Sequence, residues 1–230
     1  MSSDSPLLEA RGIGRRQRDG SSWLIHDVSI MVGEGDQIAV RGPTGSGKTV
    51  ALRSLAMLDA IDAGEIRWRD RTLTADEIPT YRSQVIYLTQ RARLFGGTVE
   101  ENLQRPFSLA VHRHQGFSRE RIASFLERLD RDERFLTLDS EHLSGGEMQI
   151  VALLRAIQLD PTILLLDEPT ASLDAETTQQ IERLVMGWMS EGQGRHAFVW
   201  VTHDVLQANR IANRQLECRG GRVLEAESIR

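Results

Sequence analysis

Residues Gly42-Pro43-Thr44-Gly45-Ser46-Gly47-Lys48-Thr49 have the spacing G-x-x-x-x-G-K-S/T, between a short apolar run and a helical pattern. Glycines at these intervals let backbone amides close around phosphate oxygens, and the following helix start faces the negative charge. Lys48 is then expected to reach the β and γ phosphates, and the Thr49 hydroxyl to ligate Mg²⁺. Gly42 to Thr49, with Val50 beside them, are the expected nucleotide contacts. Asp167 and Glu168 close another apolar run, Ile163 to Leu166. Asp167 is the expected Mg²⁺ partner, and Glu168 can orient the attacking water or accept its proton. Two further polar residues close apolar runs: Gln90 after Val85–Leu88, and His203 after Phe198–Val201. An amide carbonyl can contact the metal or the water, and an imidazole the γ phosphate. Leu143-Ser144-Gly145-Gly146-Glu147 precedes a helical pattern. It reads either as an ordinary N-cap loop or as a second anion cradle.

These groups need strands that end on one edge. Leu7–Ala10, Leu24–Val32, Gln37–Arg41, Ile66–Trp68, Val85–Leu88, Ile163–Leu166 and Phe198–Val201 read as strands, with turns at Gly33–Asp36 and Asp62–Glu65. Val50–Leu58 and Met148–Gln158 have helical spacing. Ser118 starts the helical stretch Ser118–Asp130 as an N-cap. Ser2–Pro6 reads as a polar lead. Continuous apolar strands alternating with helices predict a mostly parallel sheet covered on both faces.

The chain has 230 residues, long enough for one domain with a sizeable core. With 28 Lys plus Arg against 33 Asp plus Glu the formal charge is −5, which gives no whole-chain attraction for nucleic acid. The single cysteine, Cys218, excludes an intramolecular disulfide and fits a reducing, intracellular setting. No secretory leader or membrane-length apolar run is read, so membrane work would need a partner to hold the chain there. His112 and His114 lack further ligands for a metal pair, and Trp68, Trp188 and Trp200 read as packing residues.

The ordered set GPTGSGKT, Gln90, LSGGE, ILLLDE, Ala171-Ser172-Leu173-Asp174 and His203 resembles the nucleotide-binding subunit of ATP-binding cassette (ABC) transporters over essentially the whole chain. The resemblance implies a P-loop NTPase (RecA-like) α/β fold with a parallel-sheet core, an antiparallel β subdomain and an inserted α-helical subdomain. Residues 1–90 and 158–230 would form the nucleotide-binding core with its β subdomain, and 91–157 the helical signature segment, in a single domain of 1–230. It further implies head-to-tail pairing, probable in such subunits as a homodimer, with ATP and Mg²⁺ bound between the copies. Ser144, Gly145, Gly146 and Glu147 would face the nucleotide held by Lys48 of a second copy, and Asp174 would link the two sites. Glu168 would be the catalytic base, His203 the switch residue, and Gln90 the sensor toward an integral membrane permease. The subunit would sit peripherally on the cytoplasmic face of the membrane. QVIYLTQRARLFGGTVEENLQRPF and VWVTHD are, more narrowly, similar to small bacterial Fet-type iron exporter subunits, which points to metal-ion export.

Three positions depart from the family pattern. Gly14–Arg18, read as the loop before the strand Leu24–Val32 where an aromatic usually stacks on adenine, offers Arg15 as a guanidinium platform, with Trp23 as the alternative. Met148-Gln149-Ile150 lacks the usual positive charges after the signature. Arg91-Ala92-Arg93 is unusually basic where a permease helix is expected, and reads either as a solvated face or as a seat for an acidic helix. An ABC-type ATPase acting on nucleic acid or ribosomes is the alternative class, and a regulatory module without turnover is a third. Neither the long coiled-coil insertion of the repair members nor the second cassette of the ribosomal ones is read here.

Overall fold

The computed structural model describes residues 5–171 and 173–226. Ser2 to Asp4 of the expected polar lead, and Ser172, lie outside them. The strands are β1 (Leu8–Arg16), β2 (Trp23–Val32), β3 (Gln37–Arg41), β4 (Ala63–Trp68), β5 (Arg71–Thr72), β6 (Val85–Leu88), β7 (Ile163–Asp167), β8 (Ala197–Val201), β9 (Arg214–Arg219) and β10 (Arg222–Glu225). The helices are α1 (Lys48–Leu55), α2 (Ile78–Gln84), α3 (Val99–Gln104), α4 (Arg119–Glu127), α5 (Gly145–Ile157), α6 (Ala175–Glu191) and α7 (Val205–Ile211), with short 3₁₀ turns between several of them.

Six strands form the main sheet in the order β10-β9-β3-β8-β7-β6, parallel from β9 to β6 with β10 antiparallel at the edge. The others form a second, antiparallel sheet in the order β2-β1-β4-β5. The uninterrupted apolar runs have a direct cause. Ile163 and Leu165 of β7 enter one buried cluster with Ile38, Val40, Val199 and α1, while Leu164 and Leu166 enter another with Phe198, Trp200 and α3 to α6. With both faces covered, no position on these strands can be polar without losing its solvation. The helices between β6 and β7 thus bury their apolar faces against the same sheet that carries the glycine-rich loop.

Two expectations are corrected. Gly14, Arg15 and Arg16 belong to β1, paired through Gly14↔Ala63 and Arg16↔Trp23, so only Gln17 and Arg18 stand in the turn. Irregular pairing between Ala10 and Arg16 breaks the alternation that would have revealed the strand. Ala63, Gly64 and Glu65 likewise belong to β4 and not to a turn.

The loop before α1 is seated on β9 and β2. Gly42 has φ +150° and Gly47 φ +105°. A Cβ on Gly42 would run into the Cys218 carbonyl oxygen, and one on Gly47 would lie 2.6 Å from Cγ2 of Ile25. The Ser46 carbonyl accepts from the Gly221 amide at 3.1 Å and from the Cys218 thiol at 3.0 Å. Gly45, at φ +78°, has open space where its Cβ would stand. Gly45→Ala is therefore expected to lower stability by about 1–2 kcal/mol, from backbone strain alone. Gly42→Ala is expected to lower it by clearly more, because the Cys218 carbonyl already occupies the position. Denaturant unfolding of both variants measures this, and equal losses would show that the loop does not rest on β9.

Candidate nucleotide site

Strand register decides which side chains meet. Val40 pairs with Val201, Asp167 with Val201 and Leu88 with Leu166, so β3, β6, β7 and β8 end together. Residues leaving those ends share the edge at which open parallel sheets bind ligands. They are Gly42 after β3, Gln90 after β6, Glu168 after β7 and His203 after β8.

Gly47, in the left-handed region, is the N-cap of α1 and supplies no side-chain cap. Among the described residues, the amides of Gly45, Gly47, Lys48 and Thr49 have no hydrogen-bond acceptor, and the buried Ser46 hydroxyl has no partner. A group of unpaired amides at a helix start is complementary to a phosphate. The Lys48 side chain is buried, and its ammonium donates to the carbonyls of Gly42 at 2.8 Å and Pro43 at 3.0 Å. It stands 3.9 Å from Glu168 Oε1. Gln90 Nε2 donates to Glu168 Oε2 at 3.1 Å. The structure thus brings Lys48, Gln90 and Glu168 into one contact set.

Glu168 has φ +47°, rare for a residue with a Cβ. Its amide donates to the Val201 carbonyl at 3.2 Å, and its own carbonyl accepts from Ala171 at 3.1 Å. A sharp turn after β7 therefore holds the carboxylate over the loop, and strain of this kind is retained where surrounding contacts enforce it. Asp167 is 4% exposed, with no Lys, Arg or His in ion-pair reach among the described residues. Its one side-chain donor is the Tyr87 hydroxyl, at 2.9 Å. A buried carboxylate without a cation has an unmet electrostatic need. Thr49, Gln90 and Asp167 border one groove of about 950 Å³, and their oxygens suit a hard cation such as Mg²⁺. No group of three or more His, Cys, Asp or Glu converges among the described residues, so water and phosphate oxygens would complete such a site.

His203 is exposed at the end of β8 and makes no hydrogen bond among the described residues. Asp204 caps α7, accepting from the Leu206 amide at 2.8 Å. Gln207 of α7 and Arg210 both donate to Glu182 of α6, bracing the two helices that flank this loop.

Ser144 caps α5 in a reciprocal box with Glu147, whose carboxylate accepts from the Ser144 amide at 3.0 Å and hydroxyl at 2.8 Å. Burial opposes the Glu147 charge, but the Ser144 donors and the Arg131 guanidinium at 3.1 Å outweigh it and hold the carboxyl below its ordinary range. The Gly145 and Gly146 amides remain unpaired among the described residues. The N-cap reading of this turn holds, and the free amides leave room for the anion-cradle reading beside it. Asp174 caps α6 in turn: the Thr177 amide at 2.8 Å and then its hydroxyl keep the Asp174 carboxyl below the usual range. Thr177 is also the residue a Cβ on Gly146 would press against, at 2.9 Å. The Ser144 turn and Asp174 are therefore neighbours, yet no hydrogen bond or ion pair among the described residues joins that turn to Gly42–Thr49.

Arg15 is not a free platform. It donates to the Ala60 carbonyl at 3.2 Å and pairs with Asp59 at 3.3 Å. The guanidinium stacked on Trp23 belongs to Arg16, at 4.2 Å. Sequence reasoning missed Tyr87, whose signal was a phenol inside the apolar run VIYL ahead of Gln90. It also missed Thr177, which nothing local marks.

The geometry can be set beside known proteins. The family model described as ABC transporter matches residues 25–171. The probable iron export ATP-binding protein FetA of Escherichia coli (strain K12) is 31% identical over 209 residues, covering 91% of this chain and 90% of that protein. The phosphate import ATP-binding protein PstB 2 of Natronomonas pharaonis is 37% identical over 226 residues, covering 90% and 75%. The solved dimeric, post-hydrolysis state of the ATP-binding cassette MJ0796 bound to ADP and Pi superposes with a TM-score of 0.83 at 28% identity, covering 97% of this chain and 99% of that one. With the glycine-rich loop, the carboxylate pair and the Ser144 turn each in place on this fold, the chain belongs to the ABC transporter family, as an ATP-binding subunit that hydrolyses ATP.

Proposed function

We propose that this ATPase drives transport through a separate membrane permease, and that it works as a head-to-tail pair of copies with ATP and Mg²⁺ held between them. One observation carries the pairing. Two helix starts carry a glycine at the cap or first position, Gly47–Thr49 and Gly145–Gly146; both leave amides unpaired among the described residues, and no contact there closes one on the other within a single copy. A second copy reversed over the first would bring Ser144, Gly145, Gly146 and Glu147 to the phosphates held by Lys48, with Asp174 at the junction. The MJ0796 cassette, described as dimeric, supports this reading.

Within each site the geometry supports the following roles. Lys48 would exchange the carbonyls of Gly42 and Pro43 for phosphate oxygens, a stronger charge-assisted partner. Thr49, Asp167 and Gln90 would hold Mg²⁺, which would supply positive charge against that developing on the phosphates. Glu168, fixed by its turn, accepts a proton from the attacking water, and Gln90 orients that carboxylate through its amide. His203, unpaired at the sheet edge, faces the γ phosphate. Arg15, its plane held by Asp59, marks the base end of the site.

The permease would dock in the groove that begins at Gln90. Arg91, Arg93, Phe95, Arg105 and Arg155 line it, and no carboxylate pairs with any of these four arginines among the described residues. Phe95 is 53% exposed, with Arg105 4.0 Å above its ring. Burial disfavours the Arg155 charge, and one buried nitrogen of its guanidinium lacks an acceptor. These features favour an acidic permease helix over a solvated face. No helix among the described residues is long and apolar enough to cross a membrane, which fits a peripheral subunit on the cytoplasmic face. For cargo we favour a metal ion moved outward, on the likeness to FetA, although PstB 2 is named for phosphate import.

Glu168→Gln is expected to bind ATP but hydrolyse it at least about 100-fold more slowly. It should accumulate as an ATP-dependent dimer in light scattering; turnover at the unmodified rate would remove Glu168 from the role of base. Affinity capture from gently solubilised membranes should recover a multi-span protein that stimulates hydrolysis. Recovery of nucleic-acid or ribosomal partners alone, with stimulation by them, would move the same ATPase to the other class.

A further inference from the structure

Asp167 is held from outside the nucleotide loop. Its buried carboxylate has one hydrogen-bond donor among the described residues, the Tyr87 hydroxyl at 2.9 Å on Oδ2. Tyr87 sits on β6 opposite Leu165 of β7, two residues before Asp167, so its ring leans along the strand and its hydroxyl arrives where β7 ends. The VIYL run would take a phenylalanine there without loss of packing.

We propose that Tyr87 is the positioning residue for Asp167, fixing its carboxylate for the cation through the 2.9 Å hydrogen bond while leaving the second oxygen without a protein donor among the described residues. This rests on the assignment of Asp167 to Mg²⁺. Residues that orient a metal ligand change metal affinity about 10- to 100-fold when removed.

The test is equilibrium titration of the full chain with a fluorescent ATP analogue, once in EDTA and then across a range of Mg²⁺ concentrations. The unmodified protein and Tyr87→Phe are compared. Tyr87→Phe is expected to raise the half-saturating Mg²⁺ concentration about tenfold while affinity in EDTA stays within about twofold. General damage to the fold would weaken both titrations together, and that result overturns the positioning role. An unchanged half-point in Tyr87→Phe overturns the positioning role while leaving the Mg²⁺ assignment intact. A native protein indifferent to Mg²⁺ overturns that assignment and this inference together.

Discussion

Everything at the site depends on the register of four parallel strands. Val40, Val201, Asp167 and Leu88 end at one level because apolar side chains above and below β7 and β8 interlock with two separate clusters. A one-residue slip would turn every strand residue to the opposite face. It would also carry Asp167 and Glu168 out of reach of Tyr87 and Lys48. The chemistry is therefore held by packing well away from it. The polar contacts at the edge are few, and Lys48 and Glu168 stand 3.9 Å apart.

The second constraint is where the glycine-rich loop rests. Gly42 lies against the Cys218 carbonyl, and Gly47 against Ile25 and the Leu24 carbonyl. The loop is thus clamped between the main sheet and the antiparallel sheet. Its amides are left facing outward because its carbonyl at Ser46 and the Lys48 ammonium are satisfied from within. Cys218, which the sequence marks only as unpaired, is here a buried wall of the loop.

What could be read from the sequence follows the range of the interactions involved. β3 matches its apolar run because turn residues precede it and the glycine-rich loop follows it, and β6 because α2 ends at Gln84 immediately before it and the chain leaves the sheet at Thr89. Ser118 and Ser144 cap α4 and α5 because a cap is a contact across three residues. The second half of β1 escaped detection, since Gly12 and Gly14 interrupt its alternation and its partners lie on two different strands. The same limit explains Arg15. Its residue type suggested a stacking plane, but its partner Asp59 follows α1, far along the chain, and no local pattern announces that pair. α6 is absent from the sequence reading, although Ile181, Leu184, Val185, Trp188 and Met189 lie on one buried stripe behind Asp174 as its cap.

Asp174 shows how one capping residue can set the position of a second helix start. Its carboxylate is committed to Thr177, and Thr177 packs against the Gly146 backbone, so the cap of α6 sets the position of the turn that starts α5. The two helix starts are therefore packed together. An anion reaching the Gly145 and Gly146 amides from outside the chain would meet a surface already ordered by these contacts, and little conformational entropy would be lost on binding. The Ser144–Glu147 box works in the opposite sense. The Glu147 carboxylate stands beside the free amides, and Arg131 is the cation paired with it among the described residues. A phosphate entering this cradle would have to compete with that carboxylate, so the hold of the turn on an anion would depend on how far Arg131 draws Glu147 aside.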